Sequence, residues 1–292
     1  MGVAMITPFR EDYSIDFDAL GGVIDHIVGG EADFIVVLGT TAETPTLSDE
    51  EQRRVKEFAV ERVRGRVPLV LGLGGNNTAA LQRRLSQENL SGYSAILSVV
   101  PYYSKPTQEG IYRHYMAVAE ASPLPVVMYN VPGRTGANML ASTVLRLARE
   151  QPKIIGIKEA SGRPDQIREI LEGRPEGFEV ISGDDALTYP VMGIGASGVI
   201  SVLGNAFPRE FTRMVRLCRD GRREEARAIH DKFNEFYKLL FAEGNPGGIK
   251  SAMEALGLSK NVLRLPLVPV SSPTGLRIRQ VVEDLKENLK SD

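Results

Sequence analysis

Lys158 ends the apolar run Ile154-Ile155-Gly156-Ile157, so its stem leaves a segment with strand character. A lysine amine is protonated in neutral water and is then no nucleophile, but burial disfavours the charged form. A free amine at that position can condense with a carbonyl to an iminium, an electron sink for carbon–carbon chemistry. The plainer alternative is a strand-end lysine that reaches solvent or pairs with Glu159. Tyr129 ends another apolar run and offers a phenol that can move a proton to or from a carbinolamine. It reads equally well as a core tyrosine with its hydroxyl at the surface. Thr40 and Thr41 follow a third run. Their hydroxyls and backbone N–H groups can hold a carboxylate or relay protons, or simply turn the chain. Arg134 follows Pro132-Gly133, and its forked donors suit a carboxylate bidentately, or a surface salt bridge. The phenols and Arg134 around Lys158 tip the balance toward a Schiff-base-forming amine that acts on a 2-oxo acid.

Such residues need elements to bring them together. Short runs rich in Val, Ile and Leu occupy 3–7, 34–38, 69–73, 95–100, 126–129, 154–158, 179–182 and 198–202. They are near-continuously apolar, as strands buried on both faces should be. Helical spacing lies between them, as in 48–63 and 78–90, and Ser48 with Glu51 reads as a capping box. Strand–helix alternation eight times implies a parallel sheet, and the count favours an α/β fold of the (β/α)8 TIM-barrel type over a doubly wound sheet. Barrel active sites lie at the C-terminal ends of the strands. Gly39–Glu43, Pro101–Tyr103, Tyr129–Arg134, Lys158-Glu159 and Gly183–Asp185 all follow or end such runs. Beyond 202 the pattern is only helical, over 209–242, 247–256 and 275–289. The expected organisation is a barrel over 1–208 and a C-terminal helical appendage over 209–292, packed as one structural unit.

The 292 residues are 42% hydrophobic and 25% charged, with a formal net charge of −2, which is ordinary globular composition. No basic stripe points to nucleic acid and no apolar run approaches a membrane span. The opening MGVAMITPFRED lacks a charged leader before an apolar block, so it is not read as a signal peptide. It reads as a strand beginning almost at residue 1, which leaves open whether native residues precede it. The single cysteine, Cys218, sits in a helical pattern and reads as a buried, inert thiol. A cytoplasmic setting is expected. Gly193-Ile194-Gly195-Ala196-Ser197-Gly198 has the spacing of a dinucleotide loop, but it precedes a strand instead of following one, so it reads as a helix-to-strand turn. His26, His114 and His230 lie far apart without metal-ligand spacing. Neither a metal nor a cofactor is expected, because an iminium is its own electron sink.

At these residues the chain resembles the dihydrodipicolinate synthase / N-acetylneuraminate lyase family. The motifs that carry the likeness are ITPF (6–9), GTTAET (39–44), PYYSKPTQEG (101–110), YNVPGRTG (129–136), GIKEASG (156–162), SGDD (182–185) and GVISV (198–202). The resemblance implies a pyruvate Schiff base at Lys158 and a proton relay through Tyr129, Thr40 and Tyr103, with Tyr103 reaching a neighbouring subunit's site. It implies that Thr41 and the backbone at Ile200 hold the pyruvate carboxylate, that Gly183 lies in the site wall, and that Arg134 binds the carboxylate of the second substrate. It also implies a homotetramer built as a dimer of tight dimers. Arg134 favours the synthase branch, and with it condensation of pyruvate with L-aspartate 4-semialdehyde to 4-hydroxy-tetrahydrodipicolinate, in diaminopimelate and lysine biosynthesis. A sugar-acid lyase of the same family, or a non-catalytic pyruvate-binding regulator, is the alternative. Asn245-Pro246 and Lys250 match the family's N-P-x-x-x-K segment. Ala42 replaces the family's usual glycine and fits if the backbone there needs no positive φ. Members inhibited by lysine carry a glutamate at the position of Ala80 and a histidine at that of Gln52, so weak or absent inhibition is expected here.

Overall fold

A computed structural model describes residues 1–289; the last three residues of the expected C-terminal segment lie outside the described residues. Eight strands close into a barrel in the order β1 to β8. They are β1 (Gly2–Ala4), β2 (Phe34–Val37), β3 (Leu69–Gly72), β4 (Ala95–Val99), β5 (Val126–Asn130), β6 (Ile154–Glu159), β7 (Glu179–Ser182) and β8 (Gly198–Ser201). The pairings within each run of the barrel are parallel. The eightfold alternation in the sequence is thus a closed barrel and not an open sheet.

Helices follow the strands: α1 (Phe17–Gly29), α2 (Asp49–Val63), α3 (Thr78–Gln87), α4 (Gln108–Ala121), α5 (Pro132–Thr135), α6 (Ala141–Glu150), α7 (Pro164–Gly173) and α8 (Asp185–Met192). The remainder are α9 (Pro208–Arg219), α10 (Arg223–Lys232), α11 (Asn234–Phe241), α12 (Gly247–Ala255) and α13 (Ser272–Asn288). Several starts are written in the sequence. Ser48 forms the expected capping box with Glu51 at the start of α2. Asp16, Asn77, Thr107 and Asp184 each accept a backbone N–H at the starts of α1, α3, α4 and α8. Each such cap is worth about 1 kcal/mol relative to alanine. The helical pattern expected over 209–242 is three helices, broken at Gly221 (φ 78) and Phe233.

The boundaries differ most at β1, which ends at Ala4 instead of Thr7. The Ile6 N–H is taken by Asn205 Oδ1 at 3.0 Å, and the Thr7 hydroxyl donates to the Ala42 carbonyl at 2.8 Å. Side chains and loop carbonyls satisfy this segment where a strand ladder was expected. The turn after α8 is confirmed as helix-to-strand, with Gly195 at φ 112. Cys218 on α9 is half-buried, and burial pushes its thiol pKa up, which keeps it a poor nucleophile.

Two compact units divide the chain, one of residues 1–68 with 201–292 and one of residues 69–200. In the first, Glu43 and Lys250 form an ion pair with both side chains fully buried. The Lys250 amine also donates to the Val262 carbonyl at 2.8 Å and stands 4.1 Å from the Phe9 ring centre. Arg264 stands 4.5 Å from the same ring, and its backbone N–H donates to Glu43 Oε2 at 3.0 Å. In the second unit, His114 is 4% exposed and its Nδ1 lies 2.8 Å from Thr78 Oγ1.

Burial pulls the His114 pKa from 6.5 to about 4. An unfolded chain takes up this proton at about pH 6.5, whereas the folded chain resists it until about pH 4. The contribution is therefore complete above pH 6.5 and lost as pH falls through that window, at up to about 1.4 kcal/mol per pH unit. Urea unfolding midpoints should fall over this range, and H114Q should flatten the slope. An unchanged slope in H114Q would exclude His114 as its source.

Candidate active site

In the unit of residues 69–200 the strand register sets the geometry. Tyr129 on β5 is paired directly with Lys158 on β6, and Asn130 with Glu159. Tyr129 and Lys158 are 7% and 5% exposed. The Lys158 amine stands over the Tyr129 ring, 4.4 Å from its centre. Gly183 completes the wall: a Cβ there would lie 3.1 Å from Lys158 Cε, 3.2 Å from Lys158 Cγ and 2.6 Å from Ala160 Cβ. The absent side chain is what lets the lysine stem lie against the backbone. Ile200 is buried at the end of the neighbouring strand β8.

Lys158 does not pair with Glu159. Successive side chains of a strand point to opposite faces, so the carboxylate stands on the far side of the sheet from the amine. There Asn130 Nδ2 reaches both Glu159 oxygens at 3.3 and 3.0 Å. Ser161 N–H donates to the carboxylate at 2.7 Å and Gln166 Nε2 at 3.2 Å. Asn130 Oδ1 in turn accepts from Met139 N–H at 3.0 Å, and Asn138 Nδ2 donates to Gln166 Oε1 at 2.8 Å. Burial pushes the Glu159 carboxyl pKa up while these donors pull it down, and burial dominates. Nothing in composition or periodicity singled out this polar cluster; only the in-register Asn130 and Glu159, one residue past Tyr129 and Lys158, could have hinted at it.

Arg134 lies on the short helix α5, opened by Pro132, and its side chain is exposed. Among the described residues its guanidinium makes no ion pair. Tyr103 is 89% exposed and held at φ 72, with its N–H donating to the Thr135 carbonyl at 3.3 Å.

In the other unit, Thr40 and Thr41 open a single turn of 3-10 helix, Thr40–Ala42. Thr40 is exposed and Thr41 is 2% exposed. Thr41 Oγ1 accepts from Asn245 Nδ2 at 3.1 Å. Positive φ falls on either side of this turn, at Leu38 (58) and Glu43 (54), and not on Ala42. The condition for tolerating alanine there is met. The Glu43–Lys250 pair fixes the end of this loop, a role that the N-P-x-x-x-K match located in sequence without revealing what Lys250 touches.

With this geometry in hand, comparison with known proteins is direct. The model of the dihydrodipicolinate synthetase family matches residues 1–285. The chain belongs to that family. A 4-hydroxy-tetrahydrodipicolinate synthase of Parabacteroides distasonis is 56% identical over 285 residues, covering 98% of this chain and 96% of the relative. The synthase of Phocaeicola vulgatus is 54% identical over 286 residues, with 98% and 96% covered. The crystal structure of dihydrodipicolinate synthase from Aquifex aeolicus superposes with a TM-score of 0.94 at 41% identity, covering 98% of this chain and 97% of that one. Among the described residues no helix is long and apolar enough to cross a membrane.

Replacing Gly183 by alanine would set a Cβ 2.6 Å from Ala160 Cβ and 3.1 Å from Lys158 Cε, so the backbone at 160 and 183 must part and carry the Lys158 stem with it. A misplacement of about 1 Å costs on the order of 100-fold in turnover. G183A is expected to lose about that much activity. Full activity in G183A would show that the stem tolerates the displacement.

Proposed function

We propose that this chain is a 4-hydroxy-tetrahydrodipicolinate synthase that condenses pyruvate with L-aspartate 4-semialdehyde through a Schiff base on Lys158. The observation that carries this reading is the Lys158 amine itself. It is buried, lacks a carboxylate partner among the described residues, stands over Tyr129, and has room beside Gly183.

On this reading the Lys158 amine attacks C2 of pyruvate to give a carbinolamine. Tyr129 delivers the proton with which the hydroxyl leaves as water, and the iminium forms. Loss of a proton from the pyruvate methyl group gives the enamine. Its terminal carbon attacks the aldehyde carbon of the semialdehyde, and the aldehyde oxygen takes up a proton. The amino group of the new chain then attacks the iminium carbon, closes the ring and releases Lys158. Thr40 and Tyr103 extend the proton path from Tyr129. Thr41 and the Ile200 backbone hold the pyruvate carboxylate. Arg134, exposed and without an ion pair, takes the carboxylate of the semialdehyde bidentately. Tyr103 serves a neighbouring subunit's site in a homotetramer of tight dimers, and its 89% exposure in a single chain supports that assignment. The setting proposed is the cytoplasm, and no cofactor or metal takes part.

Borohydride reduction with pyruvate should leave a stable adduct on Lys158. Absence of the adduct in the active parent enzyme would sink the mechanism. R134A should keep this adduct and its pyruvate dependence, while KM for the aldehyde rises by about tenfold or more, the scale of a lost charge-assisted hydrogen bond. Equal loss with pyruvate alone would move Arg134 to the first substrate.

Regulation by free lysine is a separate expectation. The residues of α3, Thr78–Gln87, include no Asp or Glu, so an α-ammonium has no carboxylate to meet there. Synthase activity is expected to be inhibited weakly or not at all by lysine. Strong inhibition in a steady-state assay would require another partner for that ammonium.

A further inference from the structure

Thr41 is a buried hydroxyl with one of its two lone pairs already engaged. Its Oγ1 receives the Asn245 amide at 3.1 Å. A hydroxyl has one proton to give and two lone pairs to offer. With Asn245 on a lone pair, the Thr41 proton points elsewhere, and among the described residues no acceptor takes it. Asn245 is 6% exposed, and its Oδ1 is buried without a partner. Among the described residues, the one hydrogen bond of the Asn245 side chain is the bond to Thr41.

The same segment grips the loop at a second point. Lys250, on α12, pairs with Glu43 just past Thr41, and Arg264 N–H binds the other Glu43 oxygen. The loop is therefore anchored through Glu43, while Asn245 acts only on the hydroxyl. Anchoring and hydroxyl orientation are separable functions of one stretch of chain.

We propose that Asn245 is a positioning residue: its amide on one Thr41 lone pair keeps the Thr41 proton off that direction and leaves it to be donated toward the carboxylate of the bound 2-oxo acid. This rests on the reading of Thr41 as a carboxylate-holding residue. An anion accepts hydrogen bonds and donates none. A threonine free to rotate would spend part of its time with its proton turned toward position 245; the Asn245 amide disfavours that orientation before the substrate arrives.

The test is calorimetric titration of pyruvate into the parent and into T41V, N245A, N245D and the T41V/N245A double variant, with no aldehyde present. Titration with methyl pyruvate accompanies it. T41V and N245A should each weaken pyruvate binding by about tenfold, the scale of a hydrogen bond to a charged group. The double variant should be no weaker than T41V, because both changes remove one interaction. Preference for pyruvate over methyl pyruvate should fall by a similar factor in both single variants, which a general loosening of the loop would not produce. N245D keeps the side-chain shape but only accepts when ionised, so it draws the Thr41 proton to itself. It should bind pyruvate at least as weakly as N245A, and it serves where N245A fails to fold. Unchanged binding in T41V would sink the carboxylate reading of Thr41, and the proposal with it. A weakened T41V beside an unchanged N245A and N245D, or additive losses in the double variant, would overturn the role of Asn245 and leave that of Thr41 standing.

Discussion

A buried lysine amine stays available to a carbonyl only if no carboxylate claims it. Among the described residues two lysines are deeply buried, and they are treated in opposite ways. Lys250 is fully buried and ion-paired with Glu43; burial lowers its pKa to about 8 against the pull of that carboxylate. Its three donors are directed at Glu43, the Val262 carbonyl and the face of Phe9. That is a structural lysine, held by charge it cannot leave. Lys158 is 5% exposed and has a phenol ring in place of a carboxylate. The carboxylate nearest in sequence, Glu159, is turned to the other face of β6 by the alternation of the strand. There it is satisfied by amides and a backbone N–H, with no cation among its hydrogen-bond partners. The polar cluster behind β5 and β6 therefore does two things. It ties the strand ends together one residue beyond Tyr129 and Lys158, and it occupies the carboxylate nearest the amine in sequence.

The loop that carries Thr40 and Thr41 obeys a different constraint. It passes through left-handed backbone at Leu38 and Glu43, which non-glycine residues enter at a cost of about 1–2 kcal/mol each. Such conformations persist when surrounding structure over-determines them. Here the surroundings are Lys250 and the Arg264 backbone on Glu43, and Arg264 further joins Glu51 to the carbonyls of Tyr13 and Thr46. Glu51 answers this with a pKa held near 2, chiefly through its hydrogen bond with Arg264. The helices past β8 are thus part of how the loop after β2 acquires its shape, within the same compact unit.

Much of this was legible from residue types alone. Eight β-branched runs gave the strand count, and Ser48 with Glu51 marked the start of α2. Lys158 and Tyr129 were visible because each ends such a run, and parallel register then paired them. The end of β1 was not legible, because Asn205, some two hundred residues away, takes the Ile6 N–H. Nor was the fate of Glu159, for which sequence offered Lys158 as the obvious partner. Only the alternation of side chains at an observed strand residue rules that pair out. Long-range polar contacts such as Asn245 with Thr41 leave no periodic trace, since each partner sits in a segment whose local pattern is satisfied without the other.

Two groups of the 69–200 unit remain unspent within a single chain, and they differ in kind. Arg134 is an exposed guanidinium on a proline-opened turn, a cation well hydrated until a carboxylate displaces that water; its cost in the free chain is small. Tyr103 is another matter. Its ring is 89% exposed and its backbone is held at φ 72, with the Asn76 amide on the neighbouring Tyr102 carbonyl at 3.2 Å. An aromatic ring in water gains nothing from a strained backbone that keeps it there. Strain of this sort is retained where it aims a side chain at something outside its own element. On the proposed assembly that target is a neighbouring subunit's proton path, and the ring's burial there, at roughly 1.5–3 kcal/mol for a large apolar side chain, offsets the backbone cost that one chain alone bears without return.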